Sequence, residues 1–193
     1  MRRTWASAGL VIAVLALTAG VTGCGGGQAS HRRVAGPFAW LRPIPPPAGW
    51  EIARIPVGST LAFPPGWSSI KTDPGTASVA LLGAGGRIDA YLNATPKQGP
   101  ETLANWNRLR PEHNRAEGNR GVRVVASAND LRFPSGRGSC VIDTYTTSKD
   151  TYREIACLVV APSSSAVVVA AAPTSLWPAQ VATFERAVSS FVP

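Results

Sequence analysis

Three cysteines and two histidines offer the most chemistry in this chain, and their spacing decides what they can do. Cys24, Cys140 and Cys157, with His31 and His113, contain no Cys-x2-Cys or His-x3-His pair that would set two ligands on one turn, so no tetrahedral metal site is expected. No Gly-x-Ser-x-Gly elbow occurs, which leaves His113 as the histidine able to serve a nucleophile as base. Gly83-Ala84-Gly85-Gly86 lacks the following Lys-Ser/Thr of a phosphate loop and reads as a hairpin turn. Asp73, Asp89, Asp130 and Asp143 are scattered over turns and strands, and no carboxylate pair for acid–base work is evident. The expectation is a chain without cofactor or metal. Catalysis enters as an alternative, in which the fold brings a serine or carboxylate to His113.

A second constellation is basic. Arg108, Arg110, His113, Arg115, Arg120 and Arg123 face only Glu112 and Glu117. The stretch predicts an anion-facing patch; the alternative is a solvated helix end whose arginines complement the helix dipole. Formal net charge is +8, and removal of Arg2 and Arg3 leaves +6 because residues 1–23 contain no acid.

The compartment follows from the first two dozen residues. Arg2 and Arg3 precede the uninterrupted apolar run Leu10 to Ala19, which is shorter than the roughly 20 residues a membrane-spanning helix needs. That run leads into Val21-Thr22-Gly23-Cys24, which resembles the lipobox of bacterial lipoproteins. The resemblance implies cleavage after Gly23 and a diacylglycerol thioether on Cys24, hence a protein lipid-anchored on the extracytoplasmic face of the cell membrane. Two acyl chains at ~0.8 kcal/mol per buried CH2 make such an anchor firm. The alternative is an ordinary secretory signal that leaves a soluble product. Export removes nucleic acid as a natural partner of the basic surface. Besides the bilayer, it substitutes anionic headgroups, an anionic wall polymer or another envelope protein.

The organisation expected is a signal peptide over 1–23, a lipidated cysteine and Gly/Pro-rich tether over 24–49, and one α+β domain over 50–193. The tether runs from Gly25-Gly26-Gly27 to Pro43, Pro45, Pro46 and Pro47, and about 25 such residues reach roughly 25–30 Å. Phe38, Trp40 and Leu41 are unusual in a linker; they dock on the domain or dip into the headgroups.

Short strand-like runs follow at 51–56, 60–63, 76–82 and 87–94, separated by Gly and Pro turns. A helix opened by Gly99-Pro100 is expected over 101–110, with Leu103, Trp106 and Leu109 on one side and Pro111 ending or kinking it. Strands are expected again over 122–133, 139–146, 151–161 and 166–171. A last helix presents Trp177, Val181, Phe184, Val188 and Phe191 as an apolar seam, with Thr174 or Ser175 as its cap.

In an oxidising compartment Cys140 and Cys157 are candidates for a disulfide. A hairpin centred near Ser148-Lys149 sets residues summing to 297 opposite one another, pairing Cys140 with Cys157 and Ile142 with Ile155. The same register puts Asp143 opposite Glu154, a like-charge pair that costs a few tenths of a kcal/mol unless an arginine lies alongside. Slipping by two residues removes the clash and separates the sulfurs, leaving two free buried thiols.

The turn Leu61-Ala62-Phe63-Pro64-Pro65-Gly66-Trp67, two strand sets split by a mid-chain helix, and a terminal helix ending Ser189-Ser190-Phe191 together resemble the Mog1/PsbP-like fold over residues 50–193. The resemblance implies an antiparallel sheet with both helices packed on it, and a binding or assembly role in the cell envelope. It brings no catalytic residue.

Overall fold

The computed structural model describes residues 36–56 and 58–193. Cys24, its lipobox and His31 lie outside the described residues.

Among the described residues, nine strands and two α-helices follow in chain order. β1 (Glu51–Arg54) and β2 (Thr60–Phe63) form a two-stranded ribbon. β3 (Ser68–Ser69), β4 (Ala77–Leu82) and β5 (Ile88–Pro96) begin a seven-stranded antiparallel sheet, which β6 (Arg120–Arg132), β7 (Arg137–Thr146), β8 (Thr151–Val160) and β9 (Ser165–Pro173) complete. Helix α1 (Trp106–Ala116) joins β5 to β6, and α2 (Trp177–Ser189) follows β9. The spatial order is β3-β4-β5-β9-β8-β7-β6. The chain therefore leaves the sheet after β5, crosses one face as α1 to the far edge, and returns strand by strand until β9 lies beside β5. The α+β architecture is as the sequence predicts.

Alternation along the strands divides the sheet into two apolar layers. Ile142, Ile155, Val168, Leu92 and the two cysteines point to the larger core, where Trp177, Phe184, Val188 and Phe191 of the α2 region cover them. Trp67, delivered by the Phe-Pro-Pro-Gly-Trp turn, meets Phe184 edge-on with ring centroids 6.4 Å apart. Gly66 supports that turn with a φ of 85°, a conformation that side chains with a Cβ rarely adopt. Val141, Ala156, Leu158, Val167 and Val169 point to the opposite face, against Trp106.

The hairpin of β7 and β8 keeps the register summing to 297, with Cys140 opposite Cys157, Ile142 opposite Ile155 and Asp143 opposite Glu154. The two sulfurs are bonded, and the Cα atoms stand 4.1 Å apart. Edge strand β6 carries three register shifts, which interrupt the regular edge that another strand would need for pairing.

The sequence expectations need correction at three places. Residues 36–49 are not tether: Phe38 and Leu41 are buried in the main core, and the Ile44 amide donates to the Ser189 carbonyl oxygen. Large apolar side chains gained more by docking on the domain than by remaining in a solvated linker. Next, α1 does not stop at Pro111; it begins late, at Trp106, and carries the proline into its second turn. Thr102 and Asn105 prepare its start, the Thr102 amide donating to Asn105 Oδ1 and the Asn105 amide to Thr102 Oγ1. Pro111 is buried, so packing offsets the backbone hydrogen bond its ring removes. Lastly, neither Thr174 nor Ser175 caps α2: Leu176 holds that position, and its amide donates to the Pro173 carbonyl oxygen.

Candidate functional site

The crossover helix positions the site. Trp106, Arg110 and Asn114 recur every fourth residue along α1, so one stripe of the helix faces the sheet. Trp106 anchors the N-terminal end, its indole Nε1 donating to the Ala156 carbonyl oxygen at 3.0 Å. One and two turns on, the stripe becomes polar, and it meets the sheet where β7 and β8 present their two acids.

Arg110 grips Glu154 with both edges of the fork, Nε to Oε1 at 2.7 Å and Nη2 to Oε2 at 2.8 Å. The Glu154 side chain is fully buried and that of Arg110 is 12% exposed. Burial works to lower the Arg110 pKa, and the charge and hydrogen bonds of Glu154 outweigh it, so the guanidinium stays charged. Asn114 Nδ2 donates to Asp143 Oδ2 at 3.2 Å and to Glu154 Oε1 at 3.3 Å. Asp143 Oδ1 is buried and has no hydrogen-bond partner among the described residues. Burial, reinforced by the Glu154 charge, pushes the Asp143 carboxyl up to about 7, against the opposing pull of Arg110. Beside them Tyr91 and Tyr145 share a hydroxyl contact of 3.1 Å, and the Tyr145 ring stacks on Tyr152 at 5.8 Å. Burial raises both the Tyr91 and Tyr145 pKa values, so both phenols remain protonated.

On the β5 side of α1 lies a cleft of about 350 Å³. Val167, Thr95 and Pro96 contribute from the sheet, Trp106, Leu109 and Arg110 from the helix, and Gln98, Pro100 and Glu101 from the connecting loop. The Glu101 carboxylate holds this loop by accepting from the Gly99 amide at 2.6 Å. Glu112 and His113 line the cleft from α1 as well. It is apolar in its walls and polar at points, the usual character of a small-molecule site, and its volume lies at the low end of such sites.

The expected basic patch is rearranged. Arg110 is withdrawn into the ion pair with Glu154, because a like-charge pair across the hairpin requires a cation there. Arg108 pairs with Glu112 at 2.8 Å on the exposed helix surface, and Arg115 Nη2 reaches the Val122 carbonyl oxygen at 3.5 Å. Arg120 and Arg123 stand exposed on β6. Arg110 therefore does not share an exposed surface with the other four arginines. His113 Nε2 meets Glu117 Oε1 at 3.0 Å, both exposed, and no serine or cysteine lines the cleft among the described residues.

Sequence reasoning missed Glu154, Asn114 and the tyrosine pair as parts of one cluster. Its trace was the Asp143–Glu154 clash in an otherwise satisfactory register, which called for an arginine without identifying Arg110.

No known family profile matches the chain, and no curated protein matches it. Among solved structures the chain is similar to cyanobacterial PsbP (CyanoP) from Synechocystis, with 14% identity and a TM-score of 0.57, over 76% of this chain and 93% of that one. A protein of unknown function from Pseudomonas aeruginosa is similar at 10% identity and a TM-score of 0.43, over 75% and 96% of the two chains. LpqN of Mycobacterium tuberculosis, a protein involved in cell envelope biogenesis, is similar at 14% identity and a TM-score of 0.39, over 78% and 82%. The likeness to cyanobacterial PsbP shows a PsbP-like fold.

Proposed function

We propose that this protein is a lipid-anchored extracytoplasmic binding module, held at the cell membrane through acylated Cys24, and that it binds a small, mostly apolar ligand in the cleft beside α1. The cleft carries this reading. Its volume of about 350 Å³ accommodates a compact ligand, and Leu109, Trp106 and Val167 offer apolar contact while Thr95 and Gln98 supply hydrogen-bonding ends. The lipobox-like Val21-Thr22-Gly23-Cys24 supports the anchor, and the Cys140–Cys157 bond suits an oxidising compartment. A hydrolase built on His113 has less support: no serine lines the cleft among the described residues, and the carboxylate that meets His113, Glu117, lies exposed with it on the helix surface.

Anilinonaphthalene sulfonate, an aromatic probe with one sulfonate, serves for the test with the full chain in detergent, after subtraction of the signal from the same detergent without protein. Saturable binding at one site is expected, weakened at least tenfold in Ala116→Trp, which adds an indole at the cleft wall, with Tm unchanged. Non-saturating fluorescence, or equal affinity in the variant, overturns the cleft assignment.

A further inference from the structure

Asp143 and Glu154 form an uncommon pair: two carboxylates opposite each other in a central hairpin, both fully buried, with one guanidinium between them and solvent. Their surroundings can be enumerated element by element. From α1 come Arg110 and Asn114. From β8 comes Glu154, from β5 Tyr91, and from β7 itself Tyr145; the β6 residue paired with Asp143 is Val124. Among the described residues Arg110 contributes the single positive charge there, and both its hydrogen-bonded nitrogens point to Glu154 rather than Asp143. Asn114 offers Asp143 one hydrogen bond, and Asp143 Oδ1 is left without any.

We propose that this cluster is a protonation latch on α1: with a proton on Asp143 the helix is held against the sheet, and loss of that proton to solvent sets two negative charges against one guanidinium and loosens the helix. The inference rests on the cleft reading for its purpose, because Trp106, Leu109 and Arg110 form the helical wall of the cleft. The latch therefore regulates ligand retention: the wall is firm in mildly acidic surroundings and yields as the pH rises. Protonated, Asp143 gains a donor opposite Glu154, and the cluster carries one negative and one positive charge. Deprotonated, it carries a net negative charge on side chains that are fully buried. The Asp143 carboxyl, pushed up to about 7, places the change near neutrality.

The sign follows from proton counting. The docked state holds a proton on Asp143 up to about pH 7, and a released, solvated carboxyl loses it near 4, so release is coupled to deprotonation. Two-state linkage between these values makes opening of α1 roughly thirtyfold more favourable at pH 8 than at pH 5.5.

Amide hydrogen exchange of the full chain in detergent, with no ligand and with rates corrected for their intrinsic pH dependence, tests the latch. Wild-type α1 protection should fall roughly 10- to 30-fold from pH 5.5 to 8. Asp143→Asn, which is uncharged at every pH and retains a donor toward Glu154, should keep high protection throughout. Glu154→Gln gives a second check, since it leaves Asp143 as the only buried carboxylate beside Arg110 and should hold that carboxyl ionised across the range, removing the pH dependence. Infrared spectra should show a protonated carboxyl that titrates near neutrality in the wild type and is missing in Asp143→Asn. The latch is overturned if wild-type α1 protection is flat with pH, if Asp143→Asn reproduces the wild-type fall, or if the carboxyl titrates in the ordinary range. Probe binding measured separately at pH 5.5 addresses the cleft: binding with flat protection removes the latch alone, whereas pH-dependent protection without binding leaves the latch and removes the cleft reading.

Discussion

At the scale of the residue, Arg110 carries the largest electrostatic consequence in the described chain. It neutralises a carboxylate that is fully buried, and its removal would leave Glu154 and Asp143 without a cation in an apolar layer. Arg110→Met should therefore destabilise the protein by ~3–5 kcal/mol at pH 8, where the loss of a buried pair's partner has its full effect, as read from urea denaturation. The penalty should shrink toward pH 5.5 as Asp143 takes up a proton. The wild type itself has a definite pH profile. Since Asp143 is raised in the folded protein, its contribution to stability is largest near pH 4 and declines through about 7, above which it is constant. Asp143→Asn should be flat over that window and more stable than wild type at pH 8.

At the scale of the element, the β7–β8 hairpin shows what the sequence could disclose. The turn at Ser148-Lys149 and the facing Ile142 and Ile155 favour one register from local information, which made the cysteine pairing a candidate against the two-residue slip. Arg110 could not be assigned in the same way, because it is brought 44 residues across the chain by a helix whose start was misplaced. The Thr102–Asn105 capping exchange moves that start to Trp106 and leaves Leu103 ahead of the helix, packed beside Trp106. Leu103, Trp106 and Leu109 at three-residue spacing looked like the buried face, yet Trp106, Arg110 and Asn114 are what the sheet meets. Two predictions belong here. Non-reduced exported protein should show a two-proton mass deficit, and loss of the bond in Cys140→Ala with Cys157→Ala should cost up to ~3 kcal/mol, less if the hairpin is already ordered in the unfolded chain. Gly138 closes the hairpin's other end, where a Cβ would overlap the Phe133 ring; Gly138→Ala should destabilise by ~1–3 kcal/mol in thermal unfolding.

At the scale of the whole molecule, the boundary between linker and domain was the least legible feature. Proline and glycine content marked residues 24–49 as linker, and composition cannot show that Phe38 finds a pocket on a core assembled from the other end of the chain. Phe38→Ala should cost ~3–5 kcal/mol, as expected of a fully buried aromatic, whereas a solvated linker residue would change nothing measurable. Cys24→Ala should abolish labelling by a fatty-acid analogue that marks the wild type; equal labelling of the two would remove the anchor.

The contacts between the early and late parts of the chain also bear on timing. Ile44 bonds to Ser189, and Thr60 exchanges two backbone hydrogen bonds with Val192, so the segments that leave a ribosome or a translocation pore first wait for some of the last. Phe38 and Leu41 share a core with Phe184, Val188 and Phe191, and that core cannot close while those residues are still inside. Closure that waits for the last residues leaves the N-terminal segment without its core partners until synthesis is complete, which makes the C-terminal helix the step that shuts the domain.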